Sequence, residues 1–116
     1  MKKFLLGAAL ATIMASAAHA GTIGVSMANS DTFLTVLRKG IEKSAGDASQ
    51  PVQIEIAEDD VQKQLSQIQN FIASKVDAII VNAVDTSATA PMTKLANDAG
   101  IPIVYVSHSI AEVARL

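Results

Sequence analysis

The sequence predicts an α/β fold, an open parallel sheet with helices on both faces and the strand order 2-1-3-4. After residue 20, three features recur in order: a short apolar run, a polar turn with Asp or Asn, and a longer segment with apolar residues at helical spacing. The pattern occurs three times and ends on a fourth apolar run. Strands that alternate with helices in this way form right-handed βαβ units, and 2-1-3-4 is a common doubly wound order.

The first unit predicts a strand over residues 22–27 and a helix over residues 33–45. Gly46 follows the predicted helix and is placed to end it. Spacings of three and four put the apolar residues of this helix on one face, which is typical of a buried stripe: Phe33, Val36, Leu37 and Ile41.

The second unit predicts a strand over residues 52–56 and a helix that begins after Asp60, a favourable N-cap. Its apolar stripe consists of Val61, Leu65, Ile68 and Ile72.

The third unit predicts a strand over residues 77–81, whose continuous apolar run is typical of a strand covered on both faces. A helix follows to about Ala99, with Pro91 tolerable in its first turn. Residues 103–106 form the predicted fourth strand.

The first twenty residues read as a secretory signal peptide rather than as part of the fold. Lys2 and Lys3 precede a short apolar segment, and Ala18-His19-Ala20 ends it with an A-x-A cleavage signature. We expect cleavage after Ala20, export to the periplasm and no membrane span in the mature chain, whose single domain would occupy residues 21–106.

Composition excludes several function classes. The net charge of −2 would become −4 after loss of Lys2 and Lys3, and the absence of a basic run makes nucleic acid an unlikely partner. The chain has no cysteine, no Gly-rich phosphate motif and no nucleophile or zinc motif, and His108 is the one histidine after the signal peptide. We therefore expect no enzyme activity, no cofactor and no metal.

The turns that follow the strands contain most of the residues that could bind a ligand. Ligands of open α/β sheets bind beyond the carboxyl ends of the strands. These turns are rich in Asp and Asn, which suit a neutral polyhydroxy ligand or an ammonium group, and Phe33 could cover the apolar face of a sugar ring. Two structural alternatives stay open: Ser30, Asp31, Asp60 and Thr86 could cap helices, and Phe33 could be a core residue.

From residue 22 to residue 106 the chain resembles the type I periplasmic sugar-binding proteins of ABC importers. The resemblance is to the ribose-binding-like group and its inositol- and rhizopine-binding branch, and it rests on IGVSMANSDTFLTVLRKGIE, DDVQKQLSQIQNFIASKVDAIIVNAVDTSA and AGIPIVYV. It implies two α/β lobes that close around a sugar or cyclitol and deliver it to a membrane permease. The ligand-binding residues that it implies are Asp31, Phe33, Asp59, Asp60 and Asn82.

The sequence departs from this family at two places. Leu34 stands where ribose-binding members often have a second aromatic residue, and Ser107-His108 stands where the family usually has an Asp-Arg or Asn-Arg pair. Family members are about three times as long, so we expect this chain to be the N-terminal lobe alone, followed by an atypical tail over residues 107–116. Residues 105–116 resemble the switch-histidine segment of ABC transporter ATPases, but no Walker A motif accompanies them, so ATP hydrolysis is not implied. The alternatives are a nonfunctional truncated or fused fragment, and a regulator or enzyme on the same fold.

Overall fold

The computed structural model describes residues 21–107, in which four parallel strands form one open sheet. The strands are β1 Ile23–Met27, β2 Val52–Ile56, β3 Ala78–Val81 and β4 Ile103–Tyr105. Their order across the sheet is β2-β1-β3-β4, which confirms the predicted topology. The predicted signal peptide and, apart from Ser107, the predicted tail lie outside the described residues.

Three α-helices connect the strands: α1 Thr32–Asp47, α2 Val61–Ala73 and α3 Thr89–Asp98. Pro91 lies in the first turn of α3, as predicted, and a 3₁₀ turn, Thr86–Ala88, precedes that helix. The prediction that Gly46 ends α1 is wrong. The helix continues to Asp47, and the chain then leaves it at Ser49, which has a left-handed φ of 54°.

Helices cover both faces of the sheet. On one face α1 packs against β1 and β2 through a cluster that contains Val25, Met27 and Leu34. On the other face α2 and α3 enclose a cluster that contains Phe71, Ile79, Val81, Met92 and Ala96. In β3, Ile79 and Val81 belong to the second cluster and Ile80 packs against the first, so this strand has apolar neighbours on both sides.

Close packing of α2 on β1 requires a glycine at position 24. A Cβ built on Gly24 would lie 2.6 Å from Cγ of Phe71, and the Phe71 side chain is buried. Because Gly24 has no side chain, the ring of Phe71 can approach β1 closely.

The buried stripe of α1 differs from the prediction. Leu34 is 1% exposed and belongs to the core, whereas Phe33 and Val36 are 51% and 65% exposed. The helix turns Leu34, Leu37, Ile41 and Ala45 toward the sheet, since residues three and four apart share a face. The alternative that Phe33 is a core residue is therefore wrong, and Leu34 has a packing role.

Within residues 21–107, every helix is too short or too polar to cross a membrane.

Candidate ligand site at the carboxyl edge of the sheet

The parallel register brings the turns that follow the strands to one edge. Met27 pairs with Ile56, Ser26 with Val81, and Val81 with Tyr105, so the strands end almost level. Residues 28–31, 57–60 and 82–85 and the end of β4 are therefore neighbours, and we refer to them as the carboxyl edge.

Asn29 connects the first two turns of this edge. Its Nδ2 donates to Oδ1 of Asp59 at 2.9 Å, and its Oδ1 accepts from the backbone N of Asp31 at 3.0 Å. Asp31 and Asp59, which are 28 residues apart in the sequence, thus lie on either side of one amide. Asn29 was not among the five predicted ligand residues.

Asp31 and Asp60 are N-caps, and both are exposed. Oδ1 of Asp31 accepts from the backbone N of Leu34 at 2.7 Å, and Oδ1 of Asp60 accepts from that of Lys63 at 3.0 Å. Each cap uses one oxygen in one hydrogen bond, whereas a carboxylate offers about four acceptor positions. Capping therefore leaves acceptor capacity on both side chains.

The cap before α3 is not Thr86. Asp85 caps the 3₁₀ turn instead, because its Oδ1 accepts from both the backbone N and the Oγ of Ser87, at 2.9 and 2.8 Å. Both hydrogen bonds lower the pKa of Asp85 from its ordinary value of 3.8, and the bond from the backbone N of Ser87 has the larger effect. Asp85 therefore adds a negative charge to the carboxyl edge at neutral pH.

The second turn has an unusual backbone. Glu58 and Asp59 both adopt left-handed conformations, with φ of 55° and 58°. The bonds that hold this turn include one from the backbone N of Asp59 to O of Ala28 at 2.7 Å and one between Nζ of Lys63 and Oε1 of Glu58 at 2.8 Å. Non-glycine residues adopt this conformation at a cost, and the bond to Ala28 fixes the Asp59 carboxylate beside the first turn.

Asn82 lies beneath the edge rather than on its surface. It is 3% exposed; its Oδ1 accepts from the backbone N of Ala28, and its Nδ2 donates to O of Val106, both at 3.2 Å. The side chain therefore joins the ends of β1 and β4 across β3.

Asn82 belongs to a buried polar network that the sequence reasoning did not predict. Gln64 and Gln67 of α2 project into the space between that helix and the sheet, where they meet Ser26 of β1. Oγ of Ser26 donates to Oε1 of Gln67 at 2.7 Å and accepts from Nε2 of Gln64 at 3.0 Å. We use "the buried polar network" for Ser26, Gln64, Gln67 and Asn82.

A sequence signal for this network existed. Gln64 lies three residues after Val61 and four before Ile68, on the apolar face of α2, and Gln67 lies three after Gln64. A glutamine on such a face predicts a buried amide that requires hydrogen-bond partners. Among the described residues, every buried polar side-chain atom has such a partner.

The edge as described suits recognition by hydrogen bonds. Asp31, Asp59 and Asp60 offer acceptors at its surface, and the half-exposed ring of Phe33 lies two residues after Asp31. In the described part of the chain, no cluster of three His, Cys, Asp or Glu residues could hold a metal.

Comparisons with known proteins assign this arrangement to a family. The periplasmic binding protein domain family matches residues 23–116. A Rhizobium meliloti protein whose assigned name is rhizopine-binding protein is 55% identical over 100% of this chain, and the ribose import binding protein of Bacillus subtilis is 37% identical over 76% of it.

A solved structure extends the likeness to three dimensions. An ABC transporter solute-binding protein from Bacillus halodurans, with bound myo-inositol, superimposes with a TM-score of 0.73 at 36% identity, over 84% of this chain and 35% of that one. The chain spans 38% of the Rhizobium meliloti relative and 29% of the Bacillus subtilis relative.

Proposed function

The chain belongs to the periplasmic binding protein family, and from this membership we propose that it forms the N-terminal lobe of an exported solute-binding protein for a sugar or cyclitol. The observation that carries the proposal is the cluster at the carboxyl edge, where Asn29 holds the Asp31 and Asp59 segments together and the half-exposed Phe33 follows Asp31 by two residues. The names of the relatives support the ligand class, since they include rhizopine, ribose and myo-inositol binding.

Each proposed ligand residue has a chemical role. The carboxylates of Asp31, Asp59 and Asp60 accept hydrogen bonds from ligand hydroxyls, and the ring of Phe33 covers the apolar C–H face of the ligand. Asn82 acts from below, since its side chain is hydrogen-bonded to backbone groups at both ends. The function is binding by closure of two lobes, with the second lobe in the part of the relatives that this chain does not span, and it involves no catalytic step.

The proposal includes a cellular location and a partner. After cleavage behind Ala20 the protein works in the periplasm, and its closed form delivers the ligand to the permease of an ABC importer. Mass spectrometry of the exported protein tests the first part, because the expected mature chain begins at Gly21. An intact N-terminus on the exported protein would contradict the cleavage.

A chimera tests binding with both lobes present. Residues 23–106 of this chain would replace the corresponding lobe of the Bacillus halodurans protein, and calorimetry would measure binding of myo-inositol and D-ribose. We expect one of the two to bind at least ten times more tightly than an unrelated polyol such as mannitol, an affinity difference of about 1.4 kcal/mol. A folded chimera that binds neither would refute the proposed ligand class.

Two alanine variants of the chimera give a matched comparison. Phe33→Ala removes the proposed stacking ring, and Val36→Ala shortens another exposed apolar side chain on the same helix. We expect Phe33→Ala to weaken binding about tenfold and Val36→Ala to leave it unchanged, since aromatic anchors contribute on the order of 1–2 kcal/mol. Equal effects of the two variants would exclude a specific role for Phe33.

A further inference from the structure

The buried polar network reaches backbone groups that lie in, or directly before, each of the three turns at the carboxyl edge. Gln64 accepts from the backbone N of Val84 at 2.9 Å and donates to O of Asn82 at 3.0 Å, so it holds the third turn at two points. Gln67 donates to O of Ile56 at 3.0 Å, directly before the second turn. Asn82 accepts from the N of Ala28, at the start of the first turn.

The network is continuous. Gln64 contacts Ser26, Ser26 contacts Gln67, and the carbonyl of Asn82 contacts Gln64. The exposures of these four side chains lie between 0% and 7%, so water does not compete for their hydrogen bonds. Helix α2 is thus linked, directly or through Asn82, to three turns that are separated in the sequence by about 25 residues each.

A purely structural reading makes a different prediction. If the two glutamines only satisfied buried polar groups, then each bond would stabilise the protein locally, and loss of one would affect its own partner alone. A positioning role requires that loss of Gln64 also loosens turns that it does not contact. Hydrogen bonds link the third turn to the other two. The side chain of Asn82 accepts from the N of Ala28, and the O of Ala28 accepts from the N of Asp59 at 2.7 Å.

We propose that Gln64 is a positioning residue of the ligand site, which holds the third turn and through it the turns that carry Asp31 and Asp59. This inference rests on the proposed function. The ligand then meets carboxylates that are already fixed, and binding requires less ordering of the chain. Gln64 itself touches no ligand, because it is 1% exposed and its side chain is hydrogen-bonded to Ser26, Asn82 and Val84.

Amide hydrogen exchange of the full chain, followed by NMR without ligand, tests the coupling. Gln64→Met keeps an unbranched side chain of similar length and removes the hydrogen bonds. Ile68→Val is the matched control: it lies on the same helix, is fully buried and has an apolar side chain. We expect Gln64→Met to accelerate exchange at the amides of Val84, Ala28 and Asp59 about tenfold more than Ile68→Val does.

An internal reference separates this effect from general loss of stability. The amide of Ile79 donates to O of Pro102 inside the sheet and should respond equally to both variants once their global stabilities are taken into account. Acceleration at Val84 alone, or the same acceleration at Ile79 as at the three turns, would overturn the positioning role.

A second variant keeps the inference testable if Gln64→Met does not fold. Gln67→Met removes the bonds to Ser26 and to O of Ile56 but leaves the bond from Val84 to Gln64. Because the path from Gln64 through Asn82 to Ala28 is intact in this variant, we expect Val84, Ala28 and Asp59 to keep the protection that they have in Ile68→Val. Faster exchange at Ala28 and Asp59 with Val84 still protected would overturn the role of Gln64, since another path would then hold these turns.

Calorimetric titration of the two-lobed chimera with myo-inositol tests the proposed function separately. We expect Gln64→Met in the chimera to weaken binding about tenfold and Ile68→Val to leave it unchanged. Coupled exchange with no response to myo-inositol or D-ribose would count against the proposed function and leave the coupling intact. A response that is equal in wild type and Gln64→Met would overturn the role of Gln64 in the site.

Discussion

Substitution of Gly24 by alanine should destabilise the protein through one contact. The added Cβ would lie 2.6, 2.7 and 2.8 Å from three ring atoms of Phe71, where ordinary contacts begin near 3.4 Å. The ring must therefore retreat by most of an ångström, although it is buried and has little space. Overpacking of this kind costs about 1–3 kcal/mol, and the lower backbone entropy of alanine offsets about 0.5–1 kcal/mol, so we expect a net loss of about 1–2 kcal/mol.

Thermal and urea unfolding followed by circular dichroism would measure this loss. A domain of this size loses about 4–8 °C of Tm per kcal/mol, so we expect a decrease of roughly 5–15 °C. Gly46→Ala is the control, since nothing lies within 4 Å of its added Cβ and the position is helical, so the same substitution should stabilise by up to about 1 kcal/mol.

The source of the strain can also be isolated. Phe71→Leu removes the ring, so Gly24→Ala should cost at least about 1 kcal/mol less in that background than in the wild type. A Gly24→Ala protein as stable as the wild type, or an equal loss with and without the ring, would refute the assignment of the strain to Phe71.

Three further predictions concern the carboxyl edge. Asp31→Ala should lower the free energy of unfolding by about 1 kcal/mol, because the amide of Leu34 loses its cap, while Asp31→Asn should retain most of it; urea unfolding of both variants checks this, and equal losses would argue against capping. Phe33→Ala should change stability by less than about 0.5 kcal/mol in the same assay, because the ring is half-exposed, and a loss as large as that of a core residue would place the ring in the core. Hydrogen bonds from Ser87 lower the pKa of Asp85 in the folded protein. The carboxylate therefore stabilises the fold above its ordinary pKa of 3.8, and this stabilisation is lost as the pH falls through the lower folded pKa. Asp85→Asn should reduce the pH dependence of the free energy of unfolding below about pH 4, and identical pH profiles of variant and wild type would contradict the shift.

The sequence contained enough information for the topology because the relevant signals are local. Each apolar run is short and bounded by polar turns, and Asp60 caps a helix where its residue type predicts a cap. The order 2-1-3-4 then follows from handedness and from how commonly such chains adopt it. The end of α1 was harder to predict, since Gly46 tolerates a helix and the exit depends on the backbone of Ser49.

The spacing of the apolar residues alone could not predict which face of α1 lies against the sheet. Phe33 and Leu34 are adjacent and both apolar, so either could have faced the sheet, and the pattern of three and four fits both choices. The choice is made by the start of the helix at Thr32 and by the cap from Asp31 to Leu34, which place Leu34 against β1 and leave Phe33 half-exposed.

The buried polar network was missed for a different reason. Glutamine usually lies at the surface, so two glutamines on a helix read as solvated residues unless their phase against the apolar stripe is examined. Their partners are backbone groups such as O of Ile56 and N of Val84, which lie 11 and 20 residues from their respective glutamines and have no signature in the sequence. Long-range bonds to the backbone therefore required the fold.

The caps and the network divide the work at the carboxyl edge in a way that stability and binding measurements can separate. Asp31 uses one oxygen to cap α1, and that bond orients the carboxylate, so capping would support the ligand contact that we propose for this residue. Gln64 and Asn82 are buried and act on the backbone of the turns. Variants of Phe33 should therefore change ligand affinity without changing stability, whereas variants of the buried polar network should change both. If substitution of Phe33 lowered stability as much as substitution of Gln64, this division would be wrong.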